Sequence, residues 1–172
     1  DGQPFDRAVC YKNPAGHESD FMKFARVADV YVAAHYWDSR APYIFTRQDV
    51  RSSDWNIKVV ADISCDIDGP VATTLRPSTI ARPLYGYDPK TESETDFMAE
   101  GAIGVMAVDN LPCELPKDAS EDFGDELINK VLPHLLSGDE TSVIARATIA
   151  ANGKLMPDYD YLKPYVEGVE VT

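Results

Sequence analysis

The sequence holds no glycine-rich dinucleotide-binding loop anywhere in its 172 residues. It has no apolar run of about 18 residues, the length a membrane-spanning helix requires, and no secretory leader pattern. Cysteine is sparse: Cys10, Cys65 and Cys113 form an odd set without the spacing of a disulfide framework, which points to a reducing, cytoplasmic setting. The three histidines, His17, His35 and His134, fall in unlike contexts with no metal-ligand spacing. Basic residues number 16 against 29 acidic ones, for a net charge of −13. Such a surface repels phosphate backbones, which argues against nucleic acid as a partner, and it favours solubility.

What is present suits a folded domain. Hydrophobic residues make up 44 % of the chain, enough for a sizeable core in one domain or in a compact part of a larger one. The chain starts at Asp1 rather than methionine, and DGQPFD reads as a surface turn. A piece of a longer protein is the expectation. Residues 1–18 read as turn-rich and polar.

Three apolar, short, β-branched runs predict buried strands: Asp29–Tyr36, Ile57–Ser64 and Ile103–Val108. Separated by helices or long excursions, they argue for a parallel sheet of buried strands. Phe21, Phe24 and Ala25 stand at helical spacing, and Thr46 is placed to cap a turn or two of helix. Thr79–Tyr87 reads as an extended piece. Phe123, Leu127, Ile128, Val131, Leu132 and Leu135 form one apolar stripe of period 3.6. Asp118 and Glu121 resemble a capping box at the start of that helix, and Gly138 ends it. Asn152-Gly153 signals a hairpin, and Pro157 the entry to a last short helix.

The second and third strand candidates stop abruptly at Asp62, Ser64 and Asp66, and at Asp109 and Asn110. In open α/β sheets, ligands bind beyond the carboxyl ends of parallel strands. Residues of these types also cap neighbouring elements routinely, and that is their commoner fate. Cys65 has acidic neighbours that raise a thiol pKa, so it reads as packing rather than as a nucleophile. His35 at a strand end is more often structural than an acid/base. Tyr36 and Trp37 suit either a ring-shaped ligand or core closure. Arg76 could clamp a substrate carboxylate, though a surface ion pair is the usual outcome. The acidic residues in ASEDFGDE suit a helix amino terminus better than a metal.

Two long motifs carry a family likeness. VVADISCDIDGPVATTLRPSTIARPLYGYDP, from Val59, and AVDNLPCELPKDASEDFGDEL, from Ala107, resemble the lysine-forming saccharopine dehydrogenases and the lysine–ketoglutarate reductase half of the bifunctional lysine-degrading enzyme. HYW at 35–37 is a weaker third match. The likeness covers about residues 25 to 136. It implies an α/β, Rossmann-like parallel sheet, the carboxyl-terminal portion of its domain, with an added helix and small hairpin. Residues 1–112 would be part of the NAD-binding domain, and 113–172 a helical extension returning toward a catalytic domain, in an architecture shared with alanine dehydrogenase and transhydrogenase.

The resemblance further implies NAD, with NADP an alternative, as cofactor. Tyr36 falls where the family contacts the adenosine side, Ile63 where a strand-end main chain touches the cofactor, and Val108, Asp109, Asn110 and Leu111 along the nicotinamide end. The family's glycine-rich loop and catalytic lysine and histidine lie upstream of this region, so no catalytic residue carries over. The implied partners are an amino acid, a 2-oxoacid and the amino-terminal half of the parent enzyme, with self-pairing into a homo-oligomer through an open sheet edge. An alanine dehydrogenase-like reaction, or a non-catalytic nucleotide-binding or subunit-interaction module, stands as the alternative.

Overall fold

The computed structural model describes residues 6–169; most of the expected DGQPFD turn lies outside them. The chain divides into two compact units, the first ending at Glu114 and the second beginning at Leu115.

The first unit is built on a five-stranded mixed sheet: β1 (Val30–Ala33), β2 (Val59–Asp62), β3 (Leu84–Asp88), β4 (Ser93–Thr95) and β5 (Ile103–Met106) in spatial order β1-β2-β5-β3-β4. The three expected strands, each shorter than its apolar run, are β1, β2 and β5. They are parallel, with Val30 opposite Val59 and Val59 opposite Gly104. The extended piece becomes β3, which joins β5 antiparallel and turns into β4. The sheet is therefore mixed rather than all parallel. The short β3–β4 turn at Pro89–Glu92 cannot cross the sheet, so it forces an antiparallel return. Gly86 is required in β3: a Cβ there would stand 2.4 Å from the Asp96 carbonyl oxygen.

Local signals set the short helices. Asp6 caps α1 (Arg7–Lys12), accepting the N–H groups of Ala8 and Val9, so a helix stands where a turn-rich stretch was expected. Phe21 stands at the N-cap of α2 (Met22–Ala25), and Phe24 lies within it. Thr46 and Asp49 form a reciprocal capping box on α3 (Arg47–Val50).

The core lies against one face of the sheet. Ala33, Val60, Val105, Tyr85 and Tyr87 are buried with Phe45, Val50 and Ile57. An aromatic cluster anchors it: the Phe45 ring sits 5.4 Å from Phe21 and 4.8 Å from Trp55. The register puts Val30, Val32, Val59 and Leu84 on the alternate positions, and these are exposed, Val30 by 57 %. The expected buried strands are thus buried at alternate positions only: exposure alternates along β1 and β2 as in a sheet packed on one face.

In the second unit, α4 (Pro116–Glu126) opens on a proline, whose missing N–H suits the first turn. The expected Asp118/Glu121 capping box is not formed; Glu121 faces Lys117 instead. The ladder widens into a π turn over Leu127–Val131 before α5 (Leu132–Ser137), since Pro133 has no N–H for the turn below it. Gly138 ends the run at φ +102°. Then follow α6 (Val143–Ala147), the hairpin of β6 (Ala150–Ala151) and β7 (Lys154–Leu155), a 3₁₀ turn at Pro157–Leu162, and α7 (Lys163–Val166). Asn152 and Gly153, both at positive φ, make the expected tight turn. Among the described residues no helix is long and apolar enough to cross a membrane.

The one-sided core makes a direct prediction. Phe45→Ala should lower the unfolding free energy by about 3–5 kcal/mol, while Val32→Ala on the exposed face should stay within about 0.5 kcal/mol. Urea unfolding followed by tryptophan fluorescence measures both, and equal losses would contradict this arrangement.

Candidate functional site

Because β1, β2 and β5 are parallel, their carboxyl ends open on one edge of the first unit. Ala33, Asp62 and Met106 end the three strands, and His35, Tyr36, Ile63, Ser64, Val108 and Asp109 follow within three residues of those ends.

The long excursion after β2 is tied back to this edge at both its ends. Asp62 is fully buried. Its Oδ1 accepts the Cys65 N–H at 3.1 Å and its Oδ2 accepts the Thr74 hydroxyl at 2.6 Å. Further along, the Ser78 N–H donates to the Ala107 carbonyl at 2.8 Å, the Ala107 N–H donates to Ser78 Oγ at 3.0 Å, and that hydroxyl donates to the Pro83 carbonyl. Asp62 is thus an anchor, the capping fate rather than a ligand contact. Thr74 and Ser78 escaped the sequence reading because their partners are 12 and 29 residues distant, and no local pattern marks them.

Cys65 sits beside Asp62 in the left-handed region, at φ +58°. Its thiol donates to the Ala107 carbonyl at 2.8 Å, bridging the ends of β2 and β5. Burial, then the charges of Asp62, Asp109 and Asp66, push its pKa up. It is the packed, unreactive cysteine expected.

Arg76 also meets its commoner fate. It forms a two-pronged pair with Glu94, at 2.7 and 2.6 Å, and lies over the Tyr85 ring. Burial with Asp62 nearby pushes the Tyr31 phenol up to about 12.

Of the other positions, Tyr36, Ile63, Asp109 and Asn110 are open to solvent. Tyr36 is 87 % exposed. Ile63 gives its N–H to the Ala33 carbonyl at 2.8 Å. Val108 is buried, so only its main chain can face a ligand. Asp109 and Asn110 are exposed, and the Asp109 carboxyl makes no hydrogen bond or ion pair among the described residues. Leu111 begins a 3₁₀ turn through Glu114, held stiff by Pro112. Asp109 is therefore not the turn cap that it could have been.

Past β1 lies a cleft of about 440 Å³ with aromatic walls, lined among others by Phe21, Phe24, His35, Tyr36, Trp37 and Tyr43. Trp37 and Tyr43 stack at 5.7 Å, and the indole N–H donates to the Pro42 carbonyl. At its rim Arg40 grips Asp38 and holds that carboxyl near 2.

Comparison with known proteins finds relatives of this chain. The chain is 31 % identical over 166 residues to an alpha-aminoadipic semialdehyde synthase of Arabidopsis thaliana, a match covering 92 % of this chain and 16 % of that protein. It is 30 % identical over 160 residues to the mitochondrial alpha-aminoadipic semialdehyde synthase of Mus musculus, covering 78 % of this chain and 17 % of the relative. To the NAD(+), L-lysine-forming saccharopine dehydrogenase of Schizosaccharomyces pombe it is 26 % identical over 147 residues, 85 % of this chain and 38 % of the relative. Over much of its length the chain is thus similar to alpha-aminoadipic semialdehyde synthases and to lysine-forming saccharopine dehydrogenases. No protein-family model matches it. It spans about a sixth of the length of the two synthases.

Both motifs pass through the carboxyl edge near their starts, at Asp62–Asp66 and at Val108–Leu111. The unreactive state of Cys65 is open to a chemical test. A raised pKa leaves less thiolate at any pH below it, so iodoacetamide at pH 7.5 should label exposed Cys113 well before Cys65. Cys65 labelling should climb as pH rises through the elevated value. Peptide mass mapping reads both sites, and preferential labelling of Cys65 at pH 7.5 would contradict the assignment.

Proposed function

We propose that this chain is the carboxyl-side portion of an NAD(P)-dependent oxidoreductase of the saccharopine dehydrogenase kind, and that its strand-end edge holds part of the cofactor. The observation that carries this reading is the free Asp109 carboxyl at the end of β5, next to Asn110 and on the same edge as Ile63. An exposed, unpaired acid at the ligand-binding edge of an α/β sheet suits ribose or carboxamide recognition. The residues present fit such a group. Asp109 can accept from its hydroxyls or amide, and Asn110 can donate or accept. The main-chain carbonyls at Ile63 and Val108 can accept from the group, their N–H groups being spent on Ala33 and Met106, and Tyr36 offers an open ring face.

When bound, the nicotinamide would supply the hydride acceptor for the carbon beside the nitrogen of an amino acid–2-oxoacid adduct. This chain's part is to bind and orient the cofactor. The sequence holds no glycine-rich phosphate loop, so the diphosphate and the proton-transfer groups belong to the amino-terminal half in this reading. In this reading the parent enzyme acts on an amino acid and a 2-oxoacid, resides in the cytoplasm, and pairs this chain with its amino-terminal half or with a second copy. The small share of the relatives that the chain covers favours, as second reading, a nucleotide-binding or subunit-interaction module; an alanine dehydrogenase-like substrate would leave the edge's role unchanged.

Two outcomes follow. The 172-residue chain alone should not turn over saccharopine with NAD(+), since acid/base help of ~10²–10⁴-fold would be missing. In the complete enzyme, Asp109→Ala should weaken cofactor binding or turnover ~10-fold, the loss of a charge-assisted hydrogen bond worth ~1.5–3 kcal/mol, at an unchanged melting temperature. Steady-state NADH absorbance and calorimetry on one preparation read both. A lowered melting temperature with unaltered kinetics would remove Asp109 from the site.

A further inference from the structure

Tyr43 also lines a second pocket of the first unit, of about 230 Å³, together with Arg47, Asp68, Val71, Ala72 and Thr74. Drug-sized ligands occupy roughly 300–1,000 Å³, so this space suits a smaller molecule. Its walls are fixed by the backbone. Phe45 bridges Val71, and the Ile44 N–H donates to the Pro70 carbonyl at 2.9 Å. Asp68 stands in the left-handed region at φ +52°. The Tyr43 hydroxyl donates to its carbonyl at 3.3 Å, and the next N–H, of Gly69, donates to the Asp66 carbonyl at 3.0 Å. The Asp68 main chain is thus held on both sides while its side chain is 84 % exposed.

Two side chains are left to meet a ligand. The Thr74 hydroxyl is engaged by Asp62, and the Thr46 hydroxyl donates to Asp49. Arg47 is less committed. Its guanidinium reaches Glu92 at 3.4 Å and Asp68 at 3.8 Å, whereas Arg51 holds Glu92 at 2.9 Å. The surrounding charges decide what fits. A bare anion drawn to Arg47 meets Asp68 and Glu92. A bare cation drawn to Asp68 meets Arg47 and Arg51. A molecule carrying both charges a few ångströms apart meets each with its opposite. Val71, Ala72 and the Tyr43 ring offer the remainder of such a molecule an uncharged surface.

We propose that this pocket binds a small zwitterionic amino acid with an apolar side chain, its carboxylate accepting from Arg47 and its ammonium donating to Asp68. The proposal goes beyond the cofactor reading and does not depend on it.

Three probes separate the charges: L-valine, isovalerate, which lacks the ammonium, and isobutylamine, which lacks the carboxylate. Each is titrated into the full 172-residue chain by calorimetry and amide NMR. L-Valine should bind in the millimolar range, with shifts centred on residues 68–72, and each analogue should bind about tenfold more weakly. Arg47→Gln and Asp68→Asn should each weaken L-valine about tenfold. Asparagine tolerates the left-handed backbone, and exposed ion pairs contribute little to stability, so both variants should keep the melting temperature. Arg47→Lys, which retains the charge without the planar fork, should recover part of the loss. Absence of L-valine binding, isovalerate binding as tight as that of L-valine, or equal affinities in wild type, Arg47→Gln and Asp68→Asn would overturn the proposal. L-Valine binding that requires Arg47 and Asp68 in a chain whose NAD(+) affinity ignores Asp109→Ala would uphold it while removing the cofactor reading. NAD(+) binding sensitive to Asp109 in a chain that ignores L-valine would do the reverse.

Discussion

The buried carboxyl of Asp62 is the interaction on which the rest of the first unit depends. It stands at the end of the central parallel pair, wholly shielded from water, and its two oxygens take the Cys65 N–H and the Thr74 hydroxyl. Those bonds turn the chain sharply off β2 and secure the long excursion that returns as β3. Without them a buried N–H and a buried hydroxyl would lose their partners, at about 1–3 kcal/mol each. Ser78 repeats the device at the other end of the excursion, against Ala107. Ile63, Ser64 and Val108 are therefore held in place by the excursion that is tied down on either side of them.

The same anchor shapes the electrostatics. Asp62, Asp66 and Asp109 bring negative charge to one edge of a chain already at −13. Cys65, in their midst, is kept protonated and spends its thiol on a backbone carbonyl. Cations elsewhere are committed: Arg76 to Glu94, Arg51 to Glu92, Arg40 to Asp38. Such an edge favours hydroxyl and amide donors over phosphate, which supports the proposal that it holds the neutral parts of a dinucleotide.

Much of this was legible in the sequence where the determinants are local. The three parallel strands followed from apolar runs, the Thr46 cap and the Asn152-Gly153 turn from their own chemistry, and the fate of Cys65 from its acidic neighbours. Features set over long distances were not. The one-sided burial of β1 and β2 depends on what packs against them, and apolar residues at 30, 32 and 59 read as core. The antiparallel β3–β4 pair hid in a stretch rich in proline and glycine. The π turn before Pro133 interrupts a stripe whose periodicity runs straight through it. At the site, the motif positions were named from family likeness, but the Asp62–Thr74 and Ser78–Ala107 ties exist only once the strands are side by side.

The claim that the carboxyl edge of β1, β2 and β5 is a cofactor surface is tested most directly by hydrogen–deuterium exchange of the 172-residue chain with and without NAD(+). The account predicts slowed exchange confined to peptides covering Tyr36, Ile63–Cys65 and Val108–Leu111, with the exposed face at Val30, Val32 and Val59 unaffected. Protection absent from that edge, or appearing only in the second unit, would contradict it.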